Sequence, residues 1–236
     1  MQNVKDEIIQ HGPAYDENMI KNDIFTTPDN FNNFEFVSID KIQKRIFFSP
    51  GKWVINKNII IPKGYQVFAR KGFELKLTNS AKLISYSNLN FVGTEDSPII
   101  IYSDSSGQGI FINNAKRQSV FKYVHFHNLS TPIQGSWSIT GAVTFYQSPL
   151  YISNCFFNSI RSEDALNIIK SKFTIIDTLF VKSQSDALDS DFSFGEIQNS
   201  RFVDSGNDAM DFSGSEVKIN STRVIKAGDK GISVGV

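Results

Sequence analysis

With 236 residues, 40% of them hydrophobic, the chain is long enough for one large domain or two small ones built on a real core. Acidic and basic residues balance at 24 each, so no excess charge marks a nucleic-acid or membrane surface, and any partner has to be recognised locally. A single cysteine, Cys155, excludes an internal disulfide framework and a cysteine-rich zinc site, and its setting "SNCFF" marks it as an inert core thiol.

Residues 1–45 mix polar and aromatic side chains without strand alternation and are assigned to an N-terminal cap or to the end of a preceding domain. Their start lacks the basic-then-apolar order of a secretion signal. No apolar run in the chain approaches the roughly 20 residues that span a bilayer, so membrane insertion is not expected. From residue 46 to 236 the pattern changes. "GKWVINKNIIIPKGYQVFARKGFELKL" alternates apolar residues such as Trp53, Ile55, Ile59, Ile61, Val67, Phe73 and Leu75 with turns such as Pro62-Lys63-Gly64, which is the signature of short strands. "YVHFHN" sets His125 and His127 on one strand face opposite Val124 and Phe126, with no third ligand in view for a transition metal. The segment "STPIQGSWS" (130–138) lengthens one unit by roughly ten residues and predicts a projecting loop that carries Trp137.

Beyond residue 140 the chain aligns with itself. "GAVTFYQSPLYISNCFF", "DALNIIKSKFTIIDTLF", "DALDSDFSFGEIQNSRF", "DAMDFSGSEVKINSTRV" and "KGISVGV" place Ala142, Ala165, Ala187, Ala209 and Gly231 in one column. Ile152, Ile175, Ile197 and Ile219 form another, Phe157, Phe180, Phe202 and Val224 a third, and Ser148, Ser171, Ser193 and Ser215 a fourth. Three strands of three to five residues and three turns consume about 22 residues, so one repeat is one coil of a parallel β-solenoid. Asn154, Asp177, Asn199 and Ser221 recur in a turn and predict a stacked polar ladder. Val236 falls just after the first strand of a coil, which predicts further coils, self-association or another partner chain at that end.

These repeats resemble the right-handed parallel β-helix proteins of the pectin-lyase-like superfamily. The coil "NDAMDFSGSEVKINSTRV" and the segment "FVGTEDSPIII" carry the resemblance, which covers residues 50 to 236. It implies an all-β right-handed parallel β-helix and, through the superfamily's range, polysaccharide lyases, epimerases, glycoside hydrolases or non-catalytic surface proteins. It also favours an extracellular or cell-surface location. Asp186 in "SDALD" and Asp208 in "NDAMD" stand where polygalacturonase-type hydrolases place catalytic aspartates, but the coil that would supply a histidine reads "GDKGI".

Stacking converts columns into ladders with neighbours about 4.8 Å apart. Asp164, Asp186 and Asp208 form one ladder, ended by Lys230; Asn167, Asp189 and Asp211 form a second, predicted to face solvent. Unit charges about 5 Å apart repel by roughly 3 kcal/mol at an effective dielectric near 20. Solvation with Lys230 nearby, a raised pKa or a bound cation would offset that cost. The stretch "SQSDALDSDFS" adds Asp191, so Asp186, Asp189 and Asp191 are candidate calcium ligands. Its coil also replaces inward apolar residues with Ser190 and Gly195 while adding Phe192 and Phe194, which predicts a bulge that swings one phenylalanine into the gap.

Two functions follow. One is the binding or processing of an extended polysaccharide, acidic polymers included, along a solenoid face. Asp186, Asp208 and Lys230 would then be its catalytic candidates, and Asp189, Asp211, Trp137 and Tyr146 its substrate contacts. The other is a non-catalytic, adhesin-type structural segment of a larger surface protein, in which the ladders serve only stacking.

Overall fold

The computed structural model describes residues 24–235. Among these there is no α-helix, and the chain winds through three stacked sheets, visiting each in turn. The first sheet has eight strands, Ile59–Ile61, Leu83–Ser85, Ile110–Asn113, Gly141–Tyr146, Asp164–Ile169, Asp186–Asp191, Met210–Ser213 and Ser233–Gly235. The second has nine, from Val37–Asp40 to Glu216–Asn220, and the third eight, from Gly51–Ile55 to Arg223–Ala227. The all-β parallel solenoid expected from the repeats is therefore the fold. Register partners Leu166, Leu188 and Met210 sit 22 residues apart, one coil each.

Alternation explains the core. Inward residues such as Phe126, Phe157, Phe180 and Phe202 are fully buried, and their rings stack at centroid distances of 4.6, 4.5 and 4.7 Å. Each such pair adds about 0.5–1.5 kcal/mol beyond the area it buries. The serine column does different work. Ser171 Oγ accepts the N–H of Ser148 at 2.8 Å, Ser193 Oγ that of Ser171 at 3.0 Å, and Ser215 Oγ that of Ser193 at 2.9 Å. Each hydroxyl thus satisfies a corner amide one coil away, which matters because an unpaired buried N–H costs about 1–3 kcal/mol. Cys155 is buried beside the Phe121 and Ser153 carbonyls, and burial pushes its thiol up to about 12, as suits an inert core position.

Corners after the regular coils turn on a single residue in the left-handed region. After the first sheet these are Gln147, Lys170 and Phe192 at φ 48°, 49° and 49°, then Gly214 at 59°. After the second they are Asn154, Asp177, Asn199 and Ser221 at φ 53°, 48°, 48° and 50°. The recurrence of Asn, Asp and Ser there follows from their tolerance of this conformation, while their backbone N–H groups bond across coils, as Asn154 does to Ile176 O at 3.1 Å.

The stretch at residues 186–195 departs from expectation. Register runs unbroken through Ile168, Ser190 and Phe212 and through Phe173, Gly195 and Val217, so there is no bulge. Phe192 and Phe194 stay outside, 60% and 57% exposed. The space at Gly195 is instead taken by the Phe173 ring of the preceding coil, which a Cβ on Gly195 would meet at 2.2 Å. At the other vacated position, Ser190 Oγ pairs with Ser215 Oγ at 3.3 Å.

Of the segment assigned to a cap, residues 1–23 lie outside the described residues. Val37–Asp40 pairs antiparallel with Arg45–Phe48, and Phe36 closes that end of the core against Phe48, Trp53 and Phe73. At the opposite end Val217, Ile219 and Val224 point inward but are only partly buried. The lengthened coil forms a hairpin, Ile133–Gln134 against Trp137–Ser138, turning at Gly135 with φ 61°. Rather than projecting, it lies back on the first sheet, because Trp137 packs on Phe111 with centroids 5.3 Å apart.

Candidate functional site

One column of register partners runs along the outer face of the first sheet: Ile60, Ile84, Phe111, Thr144, Asn167, Asp189, Asp211 and Ser233. Two residues further along the strands a second column holds Asn113, Tyr146, Ile169, Asp191 and Ser213. The face is therefore apolar towards the N-terminal coils and acidic towards the C-terminal ones.

Its apolar half is an outer cluster in which Ile24, Ile60, Ile84 and Phe111 are buried, with Tyr86, Trp137, Ile139 and Tyr146 packed around them. A cavity of about 430 Å3 opens here, lined by Phe25, Phe111, Trp137, Ile139, Thr144, Tyr146 and Ile169, with Asn113 and Asn114 at its edge. Trp137 and Tyr146, named from sequence as outward aromatics, do meet in this cavity. Phe111 and Ile139 were missed, although the sequence holds a signal. "NIII" and "GIFI" are apolar on both strand faces, which a half-solvated strand would not be.

The acidic half begins at Asn167. Its amide Nδ2 donates to Asp164 Oδ2 at 2.8 Å, to Asp189 Oδ2 at 2.7 Å and to Thr140 Oγ1 at 3.2 Å, while its amide Oδ1 is buried with no hydrogen-bond partner. Asn167 is itself buried, contrary to the solvent-facing ladder expected, because the longer preceding coil brings Thr140 over it and Gly141 packs so closely that a Cβ there would meet Asn167 Cβ at 2.5 Å. Asp189 and Asp211 do reach the surface, half-buried.

Electrostatics follow from this crowding. Asp189 is pushed up to about 8, first by burial and then by the negative charges of Asp164, Asp191, Asp211 and Asp186. Burial pushes Asp164 up to about 6 against hydrogen bonds from Thr140 and Asn167. Burial also raises Asp191, assisted by Asp211, and raises Asp186, assisted by Asp208 and Asp211.

Asp186 and Asp208 take another place. Both are buried, and Asp186 Oδ1 accepts the Asp208 N–H at 2.8 Å while Asp208 Oδ1 accepts the Lys230 N–H at 2.7 Å. The ladder staples coil to coil and continues through the Lys230 backbone. The Lys230 ammonium is exposed, 3.9 Å from Asp208 Oδ2 and hydrogen-bonded to Asp229, which raises its pKa. Among the described residues no group of three or more His, Cys, Asp or Glu is placed to hold a metal ion, and that covers Asp186, Asp189 and Asp191. His125 and His127 stand together against Phe156 on the third sheet, away from this face, and burial lowers both.

By structure this chain is a β-solenoid that carries an aromatic cavity and a carboxylate row on one face of its first sheet. No family model, curated protein or solved structure matches it.

Proposed function

We propose that this solenoid binds an extended glycan along the outer face of the first sheet, with the chain laid parallel to the solenoid axis. The observation that carries the reading is that one face of one sheet holds both the cavity lined by Trp137, Tyr146 and Phe111 and the carboxylates of Asp189, Asp191 and Asp211, with the strand Asp164–Ile169 between them. Aromatic rings offer flat apolar faces to sugar rings, and carboxylates accept hydrogen bonds from hydroxyl groups. The coil rise of about 4.8 Å is close to the length of one pyranose in an extended chain, so successive sugars meet successive coils. Resemblance to the pectin-lyase-like superfamily supports the same ligand class by analogy of fold alone. Within this reading Asp189, protonated at neutral pH, is the side chain suited to donate a proton. Asp186 and Asp208 serve the backbone.

Tryptophan emission titrated with soluble oligosaccharides tests the proposal. Binding should shift the spectrum of the wild-type protein, Trp137→Ala should abolish the shift, and Tyr146→Ala should weaken affinity about tenfold, or about 1.4 kcal/mol. Silence towards neutral, acidic and amino-sugar oligomers alike would overturn it and favour a structural spacer, a role that the Asp186 and Asp208 staples and the serine column already fit.

A further inference from the structure

The outer face carries a surplus of hydrogen-bond acceptors at its acidic end. Asp189, Asp191 and Asp211 present carboxylates there, and next to them in the column the buried Asn167 holds an amide oxygen with no hydrogen-bond partner among the described residues. Apart from the proton that Asp189 itself carries, the donors beside this row are already committed: Asn167 Nδ2 serves Asp164 and Asp189, and Thr144 Oγ1 donates to Gly141 O at 3.1 Å. Among the described residues no lysine or arginine forms an ion pair with Asp189 or Asp191, and Lys230 is held by Asp229 and Asp208. A ligand that completes this site brings several N–H or O–H groups and positive charge, because a buried acceptor and crowded carboxylates are both costly unless paired. Among the described residues no three such carboxylates are set at metal-ligand spacing. The adjoining Trp137, Tyr146 and Ile169 call for an organic ligand with an apolar face.

Resting on the glycan reading above, the geometry points to a polymer that carries free amines, a glucosamine-type amino sugar, with its ammonium groups on the Asp189–Asp211 row and a neighbouring ring on Trp137 and Tyr146. A uronate polymer is repelled by the same row. Ammonium groups next to Asp189 favour its ionised form, so binding at pH 6 expels a proton from it.

Calorimetric titration of the protein at pH 6 with hexamers of glucosamine, N-acetylglucosamine, galacturonate and lysine tests this, with repeats in buffers of different ionisation enthalpy. The glucosamine hexamer should bind at least about tenfold more tightly than the N-acetylated one, with proton release. Asp189→Asn with Asp211→Asn should erase that preference and the proton release, so that the glucosamine and N-acetylglucosamine hexamers bind the variant with equal affinity. Equal affinities for the two, or tighter binding of galacturonate, overturn the inference and leave the glycan reading standing. Lysine hexamer binding as tightly as glucosamine also overturns it, in favour of a basic peptide. Absence of binding by any sugar hexamer overturns both.

Discussion

At the scale of single residues, Asp189 makes a claim about stability as well as binding. Its carboxyl holds a proton up to about pH 8 in the folded chain, whereas in an unfolded chain an aspartate loses it near 4. The folded state therefore binds more protons than the unfolded state between about pH 4 and 8, and stability falls as pH rises through that window. Asp164, held at about 6, acts in the same direction over the lower part of it. Asp189→Asn should flatten this dependence and stabilise the protein at pH 8 by roughly 1–2 kcal/mol, the electrostatic gain being discounted for partial exposure. Denaturant unfolding at pH 5 and pH 8 measures both effects, and a variant less stable than wild type at pH 8 contradicts them. Sequence placed Asp189 in a ladder but not in this environment. The crowding arises from burial and from the carboxylates of Asp164, Asp191, Asp211 and Asp186, whose distances from Asp189 a list of columns does not give.

Individual strands show why alternation succeeded for the core and failed at one coil. Phe157, Phe180 and Phe202 occur 23 and 22 residues apart because each coil offers the same inward position to the next, so one position predicts the next. Gly195 breaks the column, and its vacancy is filled from above by Phe173, a lateral choice that a one-dimensional pattern does not carry. The pair is a single packing unit. Gly195→Ala should cost about 1–3 kcal/mol by driving a methyl into that ring. Combining Gly195→Val with Phe173→Val, which restores the aliphatic size seen at Val217, should recover much of the loss. A thermal melt of the three variants decides it, and full additivity of the two changes would show that the residues do not share the space. The hairpin at residues 130–138 was legible as an insertion, but its docking was not. The contact that pulls it down, Phe111, sits on a face that alternation assigns to solvent.

For the whole molecule, stability is a sum of coil-to-coil contacts, and the serine column is one of the ties that make the sum cooperative. Ser193→Ala leaves the buried Ser171 N–H without an acceptor and should cost about 1–3 kcal/mol, while Ser193→Cys should cost less, as Cys155 occupies a comparable corner. Equal losses in the two, read from denaturant midpoints, would show that the cost comes from volume rather than from the hydrogen bond. The same regularity has a consequence for descent. Because Asp164 and Asp186 are register partners, cutting out residues 164–185 joins Glu163 to Asp186 and returns a like residue to nearly every stacked position. Unequal recombination at such a boundary therefore adds or removes one whole coil and keeps the register of the coils on either side. Which coil is gained or lost decides what the outer face carries: loss of residues 164–185 removes Asn167 and Ile169 from it, whereas loss of residues 186–207 removes Asp189 and Asp191, so the length of the carboxylate row can change in single steps.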